Sequence, residues 1–401
     1  MDSFSIENAR MTSNSRTSSR KSWVIIICVV LVLTAVVLTL SIYFGFLPAH
    51  DKESGGKKNA TADELWSSIW LPRNCKPSTY DIILDVDMKR EMYQGTVTIR
   101  FDVMEDTDLV VFHKKNLDIL ETELSSDKKG EHLQIETQLY NNVLEQQILK
   151  LKSNMSKGSS YKLILRIENK LYSQLHGFYM SKYKDSSNRT HKTAMTFFSP
   201  VSARMAIPCF DEPNMKANFT LTISNQKEYH ALANMPAKKT IQSKDKVTTY
   251  FEPSIKMSTY ILCWVVSDFV SRNLTTSSKQ LIKAWATKEE VHFTEYGINI
   301  TARLLHHYEN YFGIPFPLKK LDVVALPEFG PNAMENWGLI TYRKARFLYD
   351  AEKTPISLKQ MMLITVAHEM AHQWFGNLAT MDYWTDAWLK EGKISHKNIY
   401  Q

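Results

Sequence analysis

The chain has 401 residues, 44% of them hydrophobic and 23% charged, with a formal net charge of +7. That length exceeds what one hydrophobic core serves, and the composition excludes a disordered chain. The basic residues are scattered, with no arginine-rich run or aromatic-basic interleaving, so the positive balance reads as a solvated surface and excludes nucleic acid as a partner.

From the N-terminus, residues 1–21 carry Arg10, Arg16, Arg20 and Lys21 against Asp2 and Glu7. An uncharged stretch rich in Val, Ile and Leu then runs from Trp23 to Leu47. As a helix it is about 37 Å long, enough to cross a hydrocarbon layer of about 30 Å with some tilt. It is too long for the apolar part of a cleaved signal peptide and lacks a small-x-small cleavage site. The expectation is a cytosolic tail (1–21), a single-span transmembrane signal-anchor helix (22–47) and a body on the far side. The sequons at Asn59, Asn154, Asn188, Asn218, Asn273 and Asn299 all follow the span, as glycosylation of that body requires.

Residues 48–70 read as a mobile stalk, rich in Lys, Gly, Ser and Asp around Gly55-Gly56. From residue 71 the pattern turns to strands. Val97, Ile99, Phe101 and Val103 alternate with Thr98, Arg100 and Asp102; Tyr161, Leu163, Leu165 and Ile167 repeat the period of two. The apolar run Tyr260–Val266 reads as another strand. An antiparallel β domain, a sandwich or saddle, is expected over 71–285. Cys75, Cys209 and Cys263 are far apart and Cys28 lies in the apolar segment. Buried thiols are expected, with a bridge at Cys75 as the alternative.

Helical spacing begins near residue 297, with Ile300, Leu304, Tyr308 and Tyr311 on one face and Gly313 as the stop. His306 and His307 point about 100° apart on that helix and read as surface or packing residues. The stretch Ser357–Gly376, SLKQMMLITVAHEMAHQWFG, predicts a second helix, with Ser357 and Gln360 as a capping box and Gly376 as its stop. His368 and His372 fall one turn apart on one face, where both imidazoles can reach a single zinc ion. Glu369, beside the first of them, is placed to act as general base on a zinc-activated water. A packed helix with two buried histidines is the alternative reading of HExxH alone. Against it, Glu391 follows His372 by 19 residues in DAWLKEG. A break at Gly376-Asn377 and a helix from about Thr385 would return it to the metal, completing a His2Glu set with an open fourth position.

HEMAHQWFGNLAT followed by WLKEG resembles the HELAHQWFGNLVT…WLNEG of the zinc aminopeptidases of the aminopeptidase N and glutamyl aminopeptidase type, a gluzincin family. NAMENWGLITYR at 332–343 is similar to their GAMENWGLVTYR, and ARMAIPCFDEP at 203–213 to their ARRAFPCFDEP. The likeness covers about 71–392. It implies one Zn2+ per chain, a thermolysin-like α+β catalytic domain of which 286–401 is the first part, and peptide substrates with a free N-terminus. Glu335 would hold the substrate's α-amino group, with Ala333, Met334 and Asn336 as the wall along its backbone. A type II, single-pass protein at the plasma membrane is implied, with its body extracellular and a homodimer as an expected assembly.

Three departures stand out. Asn332 replaces the Gly that opens GAMEN. Ser199 stands where relatives carry Gln or Glu, a second holder of the amino group. After Gly392 the family continues with an aromatic residue, a helical remainder and a transition-state tyrosine, whereas this chain reads Lys393 to Gln401 and Tyr400 is misplaced for that role. The expectation is therefore a C-terminally truncated member, with a catalytically inactive peptide-binding or regulatory membrane protein as the alternative.

Overall fold

The computed structural model describes residues 61–128 and 130–398. The expected tail, span, Asn59 and most of the stalk lie outside them. Among the described residues no helix is long and apolar enough to cross a membrane. The end of the expected stalk is ordered. Helix α1 (Ala62–Leu65) is closed by a capping box in which Thr61 Oγ1 accepts from Glu64 N at 3.3 Å and Glu64 Oε2 from Thr61 N at 2.6 Å. Asp63 receives Asn141 Nδ2 at 2.8 Å, which ties this turn to the β region.

Alternating sequence becomes a seven-stranded sheet. Its spatial order is Ala237–Gln242, Lys246–Phe251, Asn218–Gln226, Cys75–Asp87, Met92–Val103, Ser160–Lys170 and Asp118–Ser126. Val97, Ile99, Phe101 and Val103 are buried while Thr98, Arg100 and Asp102 reach solvent, and Tyr161, Leu163, Leu165 and Ile167 repeat this on the neighbouring strand. The expectation of a purely antiparallel domain is corrected at one pair: Cys75–Asp87 runs parallel to Asn218–Gln226, with Tyr80 opposite Phe219. The long connection between them lets the chain return in the same direction, which a hairpin cannot do.

A four-stranded sheet (His230–Ala233, Trp264–Ser267, Thr190–Phe197, Gly177–Lys184) covers the buried face. Tyr93 of the first sheet meets Phe178 of the second at 5.0 Å, and Phe178 meets Trp264 at 5.4 Å. A smaller sheet pairs Thr107–His113, Gln146–Met155 and Ile135–Asn141. The run expected as one strand over Tyr260–Val266 divides into a 3-10 turn, Thr259–Ile261, and the strand Trp264–Ser267. Cys75, Cys209 and Cys263 are buried free thiols, so the alternative of a bridge at Cys75 does not hold. Burial pushes the thiols of Cys75 and Cys263 up to about 12.

The site-bearing part is a five-stranded sheet of order Val270–Thr275, Leu281–Ala286, Lys320–Leu326, Leu339–Arg343, Ala333–Met334. The three central strands are parallel and the outer two antiparallel to their neighbours. Lys320–Leu326 is buried throughout, as a covered parallel strand must be. This sheet recruits residues 270–286, upstream of the division expected at 285/286.

Helix α2 (Glu295–Phe312) makes the crossover and stops at Gly313 with φ +65°. Its fully buried positions are Gly297, Ile298, Thr301, Leu305 and Tyr308; of the expected face, Ile300 and Leu304 are half-buried against the core and Tyr311 is exposed, so the face is turned partway from the one expected. The cause is Gly297, where a Cβ would meet Phe347 at 2.8 Å; the helix seats its barest position there. His306 and His307 are exposed. Helix α3 (Ile356–His372) starts after Pro355 with no side-chain cap, so the expected capping box of Ser357 and Gln360 does not form. Ser357 already lies inside the first turn. Helix α4 (Ala387–Asn398) follows a 3-10 turn at Trp384–Asp386.

Asn154, Asn188, Asn273 and Asn299 are exposed. Asn218 is half-buried and its Nδ2 donates to Ser254 O at 2.7 Å, so its amide is already engaged.

Candidate functional site

The last turns of α3 carry His368, Glu369 and His372, and the second turn of α4 carries Glu391. Four-residue spacing brings the two imidazoles together edge to face, and their Nε2 atoms lie 3.0 Å apart. Glu391 Oε2 stands 3.3 Å from His368 Nε2 and 3.5 Å from His372 Nε2. Two imidazoles and a carboxylate converging on one point form a coordination triangle. For zinc at 2.0–2.1 Å from each ligand, tetrahedral geometry requires ligand atoms about 3.3 Å apart. All three sides fit that value, so this donor set suits zinc. His372 Nδ1 lies 2.9 Å from Phe375 O, a contact in which the ring donates and keeps its Nε2 lone pair free.

Burial would raise the Glu391 carboxyl, but hydrogen bonds from His368 and His372 and the charge of Lys390 hold it well below the usual carboxylate range. Glu369 behaves oppositely. It is 5% exposed, its Oε2 has no hydrogen-bond partner among the described residues, and burial followed by the charge of Glu335 pushes its carboxyl well up. Such a carboxyl has a raised proton affinity, and its orphaned oxygen needs a polar occupant of the site.

Glu335 sits across from this helix in the loop after Ala333–Met334. Met334 and Asn336 are buried and Ala333 half-buried; the short strand pairs Ala333 with Tyr342 and Met334 with Thr341. Asn336 Nδ2 donates to Thr341 Oγ1 at 3.1 Å. The backbone carbonyl of Glu335 accepts from Gln373 Nε2 at 3.0 Å and Asn377 Nδ2 at 2.9 Å. The C-cap residue of α3 and another four positions beyond it therefore clamp the loop against the helix. Gln373 went unmarked in the sequence and Asn377 was read only as part of a helix break, although both stand in the HQWFGN stretch. Tyr342 is buried near Glu369, its hydroxyl without a partner among the described residues.

The Glu335 carboxylate itself is not free. Lys390 Nζ forms a buried ion pair with Oε1. Sequence reading missed Lys390, although the signal was present: WLKEG has a lysine where the resembling WLNEG has asparagine. Asn332 is exposed, and its Oδ1 accepts from Arg346 Nε at 3.2 Å, which turns the added side chain toward Arg346. Ser199 is half-buried before Pro200. The 203–213 motif serves the scaffold: Arg204 Nε donates to Asp211 Oδ2 at 3.0 Å, and Asp211 Oδ1 accepts from Thr259 Oγ1 at 2.7 Å.

Residues 76–261 match the Peptidase M1 N-terminal domain and residues 296–399 the Peptidase family M1 domain. Human endoplasmic reticulum aminopeptidase 1 is 36% identical over 343 residues, covering 85% of this chain and 36% of that protein. Glutamyl aminopeptidase of Bos taurus is 38% identical over 357 residues, covering 88% and 36%. Endoplasmic reticulum aminopeptidase 2 of Bos taurus is 38% identical over 342 residues, covering 83% and 36%. The chain thus spans about a third of the length of these relatives.

Proposed function

Because the chain belongs to peptidase family M1, the zinc aminopeptidases, we propose that it removes the first residue from peptides by zinc-dependent hydrolysis. The observation that carries this reading is the triangle of His368 Nε2, His372 Nε2 and Glu391 Oε2, whose sides match a zinc ion's ligand spacing. Zinc held there would supply Lewis acidity, lowering the pKa of a water from 15.7 toward about 7. His372, oriented by Phe375 O, and Glu391, kept ionised by its neighbours, hold the cation. Glu369, with a buried oxygen aimed at no other group, takes the proton of the attacking water and delivers it to the leaving amine. The 333–336 strand and loop, fixed by Gln373 and Asn377, line up the peptide backbone. Glu335 marks where the first residue ends, which confines cleavage to the chain terminus.

The uncharged stretch Trp23–Leu47 and the exposed sequons Asn154, Asn188, Asn273 and Asn299 support a single-pass protein with this site on the extracellular face. A second reading, peptide binding without turnover, is favoured by the apolar side chains of Ile356, Met361 and Ile364 on α3, which are exposed among the described residues.

The test measures zinc by mass spectrometry and release of the first residue from labelled peptides, with and without chelator. One zinc per chain is expected, with Glu369→Gln retaining the metal and losing about 10²–10⁴ in rate. His372→Ala should lose the zinc. Full activity of Glu369→Gln would remove the base from this scheme; stoichiometric zinc with no turnover in any substrate would leave the binding reading.

A further inference from the structure

Residues 66–70 leave α1 as a closed turn. Trp66 Nε1 donates to Trp70 O at 3.0 Å, and Trp70 N to Ser68 Oγ at 3.2 Å. Two contacts fasten this segment to the turn 142–145, which joins Ile135–Asn141 to Gln146–Met155. Before the turn, Asn141 Nδ2 donates to Asp63 Oδ1 at 2.8 Å; after it, Gln146 Nε2 donates to Ser68 O at 3.1 Å and to Ile69 O at 3.2 Å. The turn is itself braced, with Val143 N and Leu144 N both donating to Asn141 Oδ1 at 3.1 Å. On this frame Val143 is 88% exposed, Ile69 62%, and Trp70 and Tyr140 37% each. Apolar side chains scattered singly on a surface are ordinary, whereas a group held out by hydrogen-bonded turns marks a contact surface.

The ionic groups on these segments balance: Arg73, Lys114 and Lys115 stand against Asp63, Glu64 and Glu145. Lys115 pairs with Glu145, and Lys114 Nζ lies over the Tyr140 ring at 4.6 Å. Such a surface has no excess charge to seek an anionic partner. Trp and Tyr rings among aliphatic side chains have the composition that settles at the headgroup level of a bilayer, where lysine stems reach toward the phosphates.

The occupant follows from where the chain leads. The uncharged stretch Trp23–Leu47 reads as a span, and residues 48–60 alone separate it from Thr61. That link reaches no more than about 50 Å even if fully extended, so Thr61 stays within this distance of the membrane.

We propose that Ile69, Trp70, Tyr140 and Val143 form a lipid-docking face that seats the body on the bilayer carrying its anchor, with zwitterionic phosphatidylcholine headgroups as the ligand. This rests on the single-pass reading and is independent of the hydrolytic one.

The test places the full chain in phosphatidylcholine vesicles and measures quenching of a fluorophore by headgroup spin-labelled lipid. The fluorophore is attached at Asn142→Cys or, as a control, at the exposed Lys238→Cys, each with Cys28→Ser; Cys75, Cys209 and Cys263 are buried and escape labelling. Strong quenching at position 142 and none above background at 238 is expected, and Ile69→Glu with Val143→Glu should abolish it. Thermal unfolding checks the fold, and Ile69→Ser with Val143→Ser takes the place of the glutamates if they prevent folding. Equal quenching at both positions, quenching that requires added phosphatidylserine, or quenching that survives the double substitution overturns the proposal. Loss of self-association in the double variant with no change in quenching would assign the face to a second copy, and so also overturns it. If the chain does not insert, the single-pass reading fails, and flotation of the same chain with added vesicles decides the face: flotation lost in the double variant sustains it, and absence of flotation overturns it.

Discussion

His191 lies between two carboxylates, with Nδ1 2.5 Å from Asp268 Oδ2 and Nε2 3.1 Å from Asp185 Oδ2, and its ring stacks on Tyr183 at 4.9 Å. Hydrogen bonds to Asp185 and then Asp268 raise its pKa above the ordinary histidine value of about 6.5. A group raised on folding contributes its full stabilisation below the unfolded pKa and loses it as pH climbs through the folded one. His191→Gln should therefore cost about 1.5–3 kcal/mol at pH 5.5, the range for hydrogen bonds to charged groups, and less at pH 9. Urea unfolding at the two pH values checks this; an equal cost at both would show that the imidazolium is not what the two aspartates hold. At the same scale, the convergence of His368 and His372 was legible because it depends on a local spacing of four. Lys390 was not: its meaning depends on Glu335, 55 positions away, and no local pattern links the two.

Among the elements, the loop that presents Glu335 is the most tightly specified. Gly338 closes it with φ +76°, and a Cβ there would approach Leu318 Cδ1 to 2.7 Å and Asn234 O to 2.8 Å. Asn234 Nδ2 in turn donates to Trp337 O at 3.0 Å, and Lys320 Nζ to Gly338 O at 2.8 Å. Gly338→Ala should lower stability by about 1–3 kcal/mol through left-handed strain and the close contact. The displaced loop should weaken peptide binding as well, which chemical denaturation and anisotropy together measure. Unchanged stability and binding would mean that the loop adjusts freely. Strands with a clean period of two, such as Met92–Val103, were readable because one face meets the core. The start of α3 was misread because Ser-x-x-Gln has the composition of a cap, while the N-cap is Pro355, two residues earlier.

At the scale of the whole molecule, the β-rich part and the site-bearing part meet through specific contacts. Tyr260 bonds to Gly376 O, Lys216 Nζ to Asn377 O at 3.3 Å, and Phe197 packs on Phe329 at 5.5 Å. By contrast, Ile356, Met361, Leu363 and Ile364 of α3 and Trp388 of α4 are exposed, with Ile356 at 76% and Trp388 at 69%. Exposed apolar groups on two helices favour association. Ile364→Lys combined with Trp388→Lys should reduce self-association and hydrophobic-dye binding while changing unfolding free energy by no more than about 0.5 kcal/mol per site. A large loss of stability would show that these side chains are packed in solution.

Local chemistry in the sequence by itself determined the β-then-helix order, the buried faces of the long strands, the stop at Gly313 and the pairing of His368 with His372. Each follows from a backbone period or a single residue's conformational range. Only the tertiary structure decided the parallel pairing of Cys75–Asp87 with Asn218–Gln226, the rotation of α2 onto Phe347, the approach of Glu391 and the burial of Lys390 against Glu335. Those depend on which distant segments share the core, and on the electrostatics of charges withdrawn from water together, which no stretch of neighbouring residues encodes.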